Sequence, residues 1–436
     1  MYYSVINRFT GDNLNRLILS LLFGILPIVF MVMSGCSSDN NNDPVGPEEP
    51  DVIISDRLYI IDPNVFSEPD INGIAYTFTY QGDPPDVEAG DVILGTTNGG
   101  YLRRIVSIVT GGQSIQFNTE SVLLVDVLKK GHFSISAQVE MTENGILSKA
   151  EIQNERVKSV YTADGISTAD GVISLRDVVI FNGAINAESL SVSIIGGNVE
   201  FEPTIAAECN IDSVELKTFT AVASGDLTFD CLFEVNSTGR VALNHEILIG
   251  TFQKEFSLDL ESFPIVGVVE MNLYAGFEAD VKDSVSFRTG FESEFSLNYG
   301  AEYPGSIWAP TWEETGLAEN QSNTWDQKTY SEFKGYVKPV IELKFYNIKG
   351  YKFTTIPYVD LVGTIEEETW DLTVNGGLDA NIIFDSEFAS RSIVEYVHTF
   401  DNWEQELLKS NGIVENLPPV QPSNPFPPNG AVDQPI

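Results

Sequence analysis

Three histidines, His132, His245 and His398, are the only imidazoles in the chain. Nucleophilic catalysis needs such a base beside a Ser or Cys. None of the three has a nucleophile-elbow or zinc-protease spacing. His132 ends a small module beside Gly131, His245 shares a strand face with Leu243 and Ile247, and His398 sits among Val397 and Phe400. A lone strand histidine is a packing residue first. Paired carboxylates cleave glycosidic bonds when held ~5–9.5 Å apart. With 63 acidic side chains, some pair meets that distance by chance. Glu292 and Glu294 read as a solvated strand face, and Glu366-Glu367-Glu368 as an acidic loop. Recognition chemistry concentrates instead between Gly300 and Tyr330, which carries Tyr303, Trp308, Trp312 and Trp325 with Glu313, Glu314 and Asp326. Aromatic rings beside carboxylates stack on sugar faces and hydrogen-bond their hydroxyls. A patternless connection of this length exceeds the usual ~12–15 residues and suggests function. The bland alternative is that the rings fold back and cover the end of a sheet.

The elements that must position these residues are strands. From Val285 the odd positions Val285, Phe287, Phe291, Phe295, Leu297 and Tyr299 alternate with Ser286, Arg288, Glu292, Glu294, Ser296 and Asn298. Side chains alternate between strand faces, so one face is apolar and the other wet. Ile265 to Ala279 keeps the same beat, and Val281-Lys282-Asp283-Ser284 reads as a turn, so Phe263 to Tyr303 reads as one long hairpin. Further strands are expected at Phe133–Val139, Val172–Phe181, Leu190–Ile195, Val199–Glu202, Val214–Val222, Leu227–Val235, Val241–Ile249 and Phe252–Leu260. Phe333–Phe345, Tyr351–Val362, Thr369–Val374 and Leu378–Phe384 complete the set. Turns are expected at Gly196-Gly197, Ser224-Gly225-Asp226, Asn236-Ser237-Thr238-Gly239 and Gly376-Gly377. Val122–Lys130, capped by Thr119 or Ser121, and Asn402–Ser410, closed by Gly412, read as the short helices. The fold class is all-β: a small N-terminal β module, then a large antiparallel β-sandwich or open barrel with long strands.

Composition bounds the function. Hydrophobic residues make up 43% of the 436, enough for a packed core, and 24 basic residues against 63 acidic give a net charge of −39. Such a surface repels nucleic acid and anionic lipid, which sets DNA and RNA aside as partners.

Residues 1–35 read as a targeting segment. Arg8 and Arg16 form a basic region, Leu17 to Val32 is almost wholly apolar, and Met33-Ser34-Gly35-Cys36 follows. This resembles the bacterial lipobox, a resemblance that implies lipidation of Cys36 as the first mature residue. An uncleaved membrane anchor is the competing reading, since the apolar run approaches the ~18 residues that span a bilayer. Residues 36–52 are acidic and rich in Asn and Pro, and read as a tether. An acidic stretch after the lipid Cys is similar to the surface-export signals of Bacteroidota-type lipoproteins, implying the outer membrane and its outer leaflet.

In that oxidising compartment Cys209 and Cys231 could form a disulfide worth ~3 kcal/mol. Against it, Cys209 precedes the expected Val214–Val235 hairpin and lies one strand from Cys231. Both outcomes stay open. Without a nearby histidine the pair is a poor metal site. Asp170-Gly171-Val172-Ile173-Ser174 with Asp177 resembles the second half of a dockerin or EF-type calcium loop, but Ile166 and Thr168 fall on ligand positions. Calcium is thereby the one cofactor the sequence raises, beside a reading of turns flanking a strand.

The segment 53–133 forms the small module. Gly90-Asp91, Tyr101-Leu102-Arg103-Arg104, Thr119-Glu120 and Asp126-Val127 are similar to a module found near the start of secreted bacterial proteins, which implies spacing or capping. The large β domain spans 134–412. Residues 413–436 are proline-rich, and the last dozen resemble the opening of a fibronectin type III-like or immunoglobulin-like repeat. Together these readings predict a surface-anchored lipoprotein with a non-catalytic binding, adhesion or structural role, toward a glycan or a protein. The alternatives are a polysaccharide-acting enzyme whose carboxylates meet only in the fold, and a carrier of a lipid or other apolar ligand.

Overall fold

The computed structural model describes residues 52–138, 146–147, 151–154, 157–160, 167–169, 172–260, 263–321, 323–325, 329–366, 369–384, 396–400 and 402–413. Period-2 sequence becomes strand almost throughout. The small sheet contains β1 (Leu58–Ile60), β2 (Asp70–Asn72), β3 (Ala75–Thr79), β4 (Val92–Gly95), β5 (Tyr101–Gly111) and β6 (Ser114–Ser121). One turn of helix, α1 (Leu124–Val127), leads into the body. There follow β7 (Leu128–Gln138), β8 (Val178–Ile185), β9 (Glu188–Phe201), β10 (Thr204–Asp212) and β11 (Glu215–Ser237). Next come β12 (Val241–Leu260), β13 (Phe263–Val281), β14 (Val285–Tyr303) and β15 (Ala309–Asn320). The last are β16 (Ser331–Phe345), β17 (Ile348–Glu366), β18 (Thr369–Phe384), β19 (Tyr396–Thr399) and β20 (Trp403–Ile413).

Two large antiparallel sheets face each other as a sandwich. In the first, β11 is flanked by β14 on one side and by β9 and β10 end to end on the other. The second runs β12, β13, β16, β17, β18, with β19 and β20 sharing the last edge. The longest strand, β11, has 23 residues, roughly 75 Å at ~3.3 Å per residue. The small-sheet turn Asn98-Gly99-Gly100 docks on the body. All three residues have positive φ, and the Asn347 side-chain amide donates to the carbonyls of Asn98 and Gly100 at 2.8 and 2.9 Å.

The expected long hairpin is corrected. Its two strands exist, but β13 pairs with β12 and β16, whereas β14 pairs with β11 and β15. Lys282, Asp283 and Ser284 therefore carry the chain from one sheet to the other. The links β11 to β12 and Trp325 to β16 cross at the same end, because Ser237 pairs with Val285, Val241 with Val281, Trp325 with Phe287 and Ser331 with Val281.

Several expected turns are also strand interior. Gly196-Gly197 lies within β9, Ser224-Gly225-Asp226 within β11 and Gly376-Gly377 within β18. Gly225 sits opposite the break at Glu202-Pro203, where proline cannot donate to the ladder; a Cβ on it would meet the Glu202 carbonyl oxygen at 3.1 Å. Gly377 lies under the ring of its cross-strand partner Tyr358, and Gly276 under that of Tyr336. An aromatic ring covering a strand glycine restores packing that the missing side chain gives up. The expected helix at Asn402–Ser410 is strand β20, paired along β18. That at Val122–Lys130 shrinks to α1, because Lys130 pairs with Ile53 in a ladder. Its N-cap position is Leu123, whose N–H donates to Asp126 Oδ2 at 3.3 Å, rather than Thr119 or Ser121.

The core between the large sheets is rich in aromatic rings. A polar bridge crosses it: the Tyr299 hydroxyl on β14 and Thr355 Oγ1 on β17 share a hydrogen bond of 2.6 Å, both residues fully buried. Tyr299→Phe is expected to cost about 1–2 kcal/mol, because it strands the Thr355 hydroxyl without a partner. Urea unfolding checks this, and the double variant Tyr299→Phe/Thr355→Val should recover most of the loss.

Candidate functional site

The stretch read as a patternless connection forms β15, which continues the first sheet beside β14. Thr311, Glu313, Thr315, Leu317 and Glu319 alternate with Trp312, Gly316 and Ala318, so a strand pattern was present beneath Pro310 and Gly316. Trp312 is opposite Tyr299 and Trp325 opposite Phe287. The twelve-residue difference along β14 separates the two rings by roughly 40 Å. The expected cluster is therefore split. Trp325 is 8% exposed, lies over Gly363 and meets Trp370 edge-on at 5.9 Å. It is a cover for the crossing end. Glu313 is exposed opposite Asn298, and Glu314 takes the register position opposite Leu297. Asp326 lies outside the described residues.

Tyr303, Trp308 and Trp312 do come together, with partners that the sequence pattern does not join to them. Tyr303 lies 5.4 Å from Trp308, and Trp308 stacks on Tyr396 at 5.8 Å and 22°. Tyr396 is parallel to His398, His398 meets Phe400 edge-on at 4.7 Å, and Phe400 stacks on Trp312 at 4.6 Å. The signal was available: Tyr396, His398 and Phe400 fall at i, i+2 and i+4, on one face of a strand. This strip closes the gap between β15 of one sheet and β19 of the other. Phe384 and Tyr351 back Trp308 from the core at 4.5 and 6.1 Å. Ile307 and Val397, next in sequence to Trp308 and Tyr396, are 77% and 58% exposed. Half-buried rings can cover the sandwich and offer a contact face at once. Burial pushes the Tyr396 and Tyr351 phenols above their ordinary range, so both stay neutral.

The remaining candidates are dispersed. His132 Nε2 is 3.7 Å from Glu208 at the surface. His245 packs between Phe181 and Phe277 at 5.5 and 6.4 Å. Burial lowers its pKa, with Glu246 opposing. Glu292 lies in a cross-strand row with Asp230 and Glu319, and Glu294 opposite Thr228 and Leu317. The disulfide between Cys209 and Cys231 does not form, and both are buried free thiols. Cys209 pairs with Phe219 on β11, twelve residues from Cys231 on the same strand, roughly 40 Å away. Of the calcium-loop resemblance, residues 161–166 and 170–171 lie outside the described set; Ser167–Ala169 pairs with Val172–Ser174. Cys36, the tether up to Asp51 and residues 414–436 also lie outside it.

Charge on the second sheet's outer face is finely balanced. Lys334 Nζ is 3.1 Å from Asp379 and 3.6 Å above the Tyr358 ring. Burial raises the Asp360 pKa; Lys334 opposes this, while Glu404, Glu332 and Glu278 reinforce it. A carboxyl with a raised folded-state pKa costs stability when ionised, and the cost vanishes as pH falls through that pKa. Lys334→Met is expected to lose about 1 kcal/mol at pH 7. The gap to wild type should narrow in urea titrations as pH is lowered into the mildly acidic range.

Comparison with known protein families, curated proteins and solved structures returns no match to this chain.

Proposed function

We propose that this chain is a lipid-anchored surface protein with a non-catalytic role, whose sandwich acts as a stiff stand-off that holds its crossing end away from the membrane. One observation carries the reading. The described chain arrives at the small-sheet end, where Ile53 and Ile54 pair with Lys130 and Leu128, and it leaves at the crossing end, where Ile413 pairs with Thr369. Between those ends run strands of 19 residues or more, such as β13 and β14, roughly 60 Å long. The lipobox ending in Cys36 supplies the proposed anchor, the tether its slack, and the acidic surface its solubility.

The anchor is tested by mass analysis of the protein from its native host, with Cys36→Ala beside it. A lipid mass on Cys36, lost together with membrane retention in the variant, is the expected result. An unprocessed, unmodified amino end would overturn the reading. A second reading follows from the half-buried strip at Trp308 and Trp312: that edge binds a glycan or protein partner. Turnover of any polysaccharide in a hydrolysis assay, rather than binding alone, would favour the enzymatic alternative.

A further inference from the structure

The small sheet carries a two-lobed groove that none of the chemistry above uses. The segment Asp62 to Ser67 folds against the end of β3. Ser67 N–H donates to the Thr79 carbonyl at 2.8 Å, and Gln81 N–H to the Val65 carbonyl at 3.0 Å. Phe66 and Tyr80 form the bridge between them and are 4% and 7% exposed. Between this segment and the β5–β6 turn lies a cavity of about 680 Å³, with Asn64, Gln81, Gln113, Thr79 and Ser67 in its wall. A second lobe of about 180 Å³ lies across the same Pro63-Phe66-Ser67 wall, beside Tyr101. The larger volume falls within the ~300–1,000 Å³ of ordinary ligand pockets.

The Asn64 side of the wall and the Phe66–Tyr80 floor are fixed in advance. Asn64 donates to Asp62 Oδ1 through its backbone N–H at 2.8 Å and its side-chain amide at 3.0 Å. The Tyr80 hydroxyl donates to the Gly112 carbonyl at 3.2 Å, and Tyr80 N–H to the Gln113 carbonyl at 3.0 Å. Phe66 is wedged against Phe78 and Tyr59 at 5.8 and 6.3 Å. Such preorganisation lowers the ordering cost of binding.

The lining of the larger lobe is neutral in a chain of net charge −39. Neither lobe is lined by Lys or Arg, and the only carboxylate is Glu68 in the smaller one. An anion would find no counter-charge here and a repulsive field around it. A peptide adding as a strand is disfavoured too, because backbone groups of the Val65–Ser67 wall are already paired with Thr79–Gln81. Side-chain amides and hydroxyls remain, each offering both donor and acceptor, which is the pattern that sugar hydroxyls present in return. We infer that this two-lobed groove binds a segment of a neutral oligosaccharide, its hydroxyls met by Asn64, Gln81 and Gln113 over the Phe66–Tyr80 floor.

The test uses the full chain on an array of neutral, sulfated and sialylated oligosaccharides. Neutral glycans should bind, and Gln81→Ala/Gln113→Ala should weaken them at least tenfold with an unchanged thermal melt, since both amides are exposed. Cys36→Ala should leave that binding intact whatever the anchor does. An array with no neutral binders, a preference for anionic glycans, or indifference to the double amide variant would overturn the inference.

Discussion

Phe333→Ala is expected to destabilise the protein by about 3–5 kcal/mol, the upper range for truncating a single buried side chain. Phe333 stands on β16 of the second sheet. Its ring meets Phe233 and Phe287 of the first sheet edge-on at 5.6 and 5.5 Å, and stacks on Phe277 at 6.3 Å and 16°. It is 1% exposed. Alanine there would open a cavity between two sheets that cannot readily collapse onto it, because each is held by its own ladder. Phe333→Leu, which keeps most of the volume, should lose roughly half as much. Equilibrium unfolding in guanidinium checks both, and a loss below about 1 kcal/mol for alanine would show that the sheets are not joined through this ring.

Gly300→Ala is expected to cost about 2–4 kcal/mol, although it adds a single methyl group. A Cβ at Gly300 would overlap the Ala221 carbonyl oxygen and lie 2.8 Å from Val222 Cα. Both are backbone atoms of β11, so nothing can swing aside, and the β11–β14 ladder itself must part. Gly290 faces the same obstacle at the Cys231 carbonyl. The contrast is Gly377→Ala, whose new methyl would meet only the tip of the Tyr358 ring. A side chain can rotate away, so this variant should lose clearly less. Hydrogen exchange on β11 separates the two cases: Gly300→Ala should accelerate exchange along Val222–Asp230, and Gly377→Ala should not.

These glycines also mark the limit of what the sequence discloses. Alternation located β13 and β14 almost to the residue, since Phe263 to Val281 and Val285 to Tyr303 each keep one apolar face. Alternation states which side chains share a face, but nothing in it names the neighbouring strand. Lys282-Asp283-Ser284 therefore looked like a hairpin turn and is a crossing between sheets. Glycine pairs were read as turns because glycine supplies turn geometry. In β9, β11 and β18 glycine instead allows close backbone approach or accepts an aromatic cover, and the covering residue is far away in sequence. The aromatic edge was half legible for the same reason. Trp308 and Trp312 stood out by residue type, whereas their partners Tyr396 and Phe400 arrive through the pairing of β19 with β18. The small-sheet groove left no sequence signature, because it is made by the Phe66–Tyr80 bridge across thirteen intervening residues.

The opposed ends of the sandwich bear on how it would carry a mechanical load. Tension applied between Val52 and Ile413 would act nearly parallel to the strands. At β20 it would drag Trp403–Ile413 lengthwise along β18, whose ladder spans Thr369 to Leu378. Hydrogen bonds sheared in this way must rupture together, whereas a ladder pulled from one side unzips bond by bond. The β20 edge is therefore built to resist a pull along the strands.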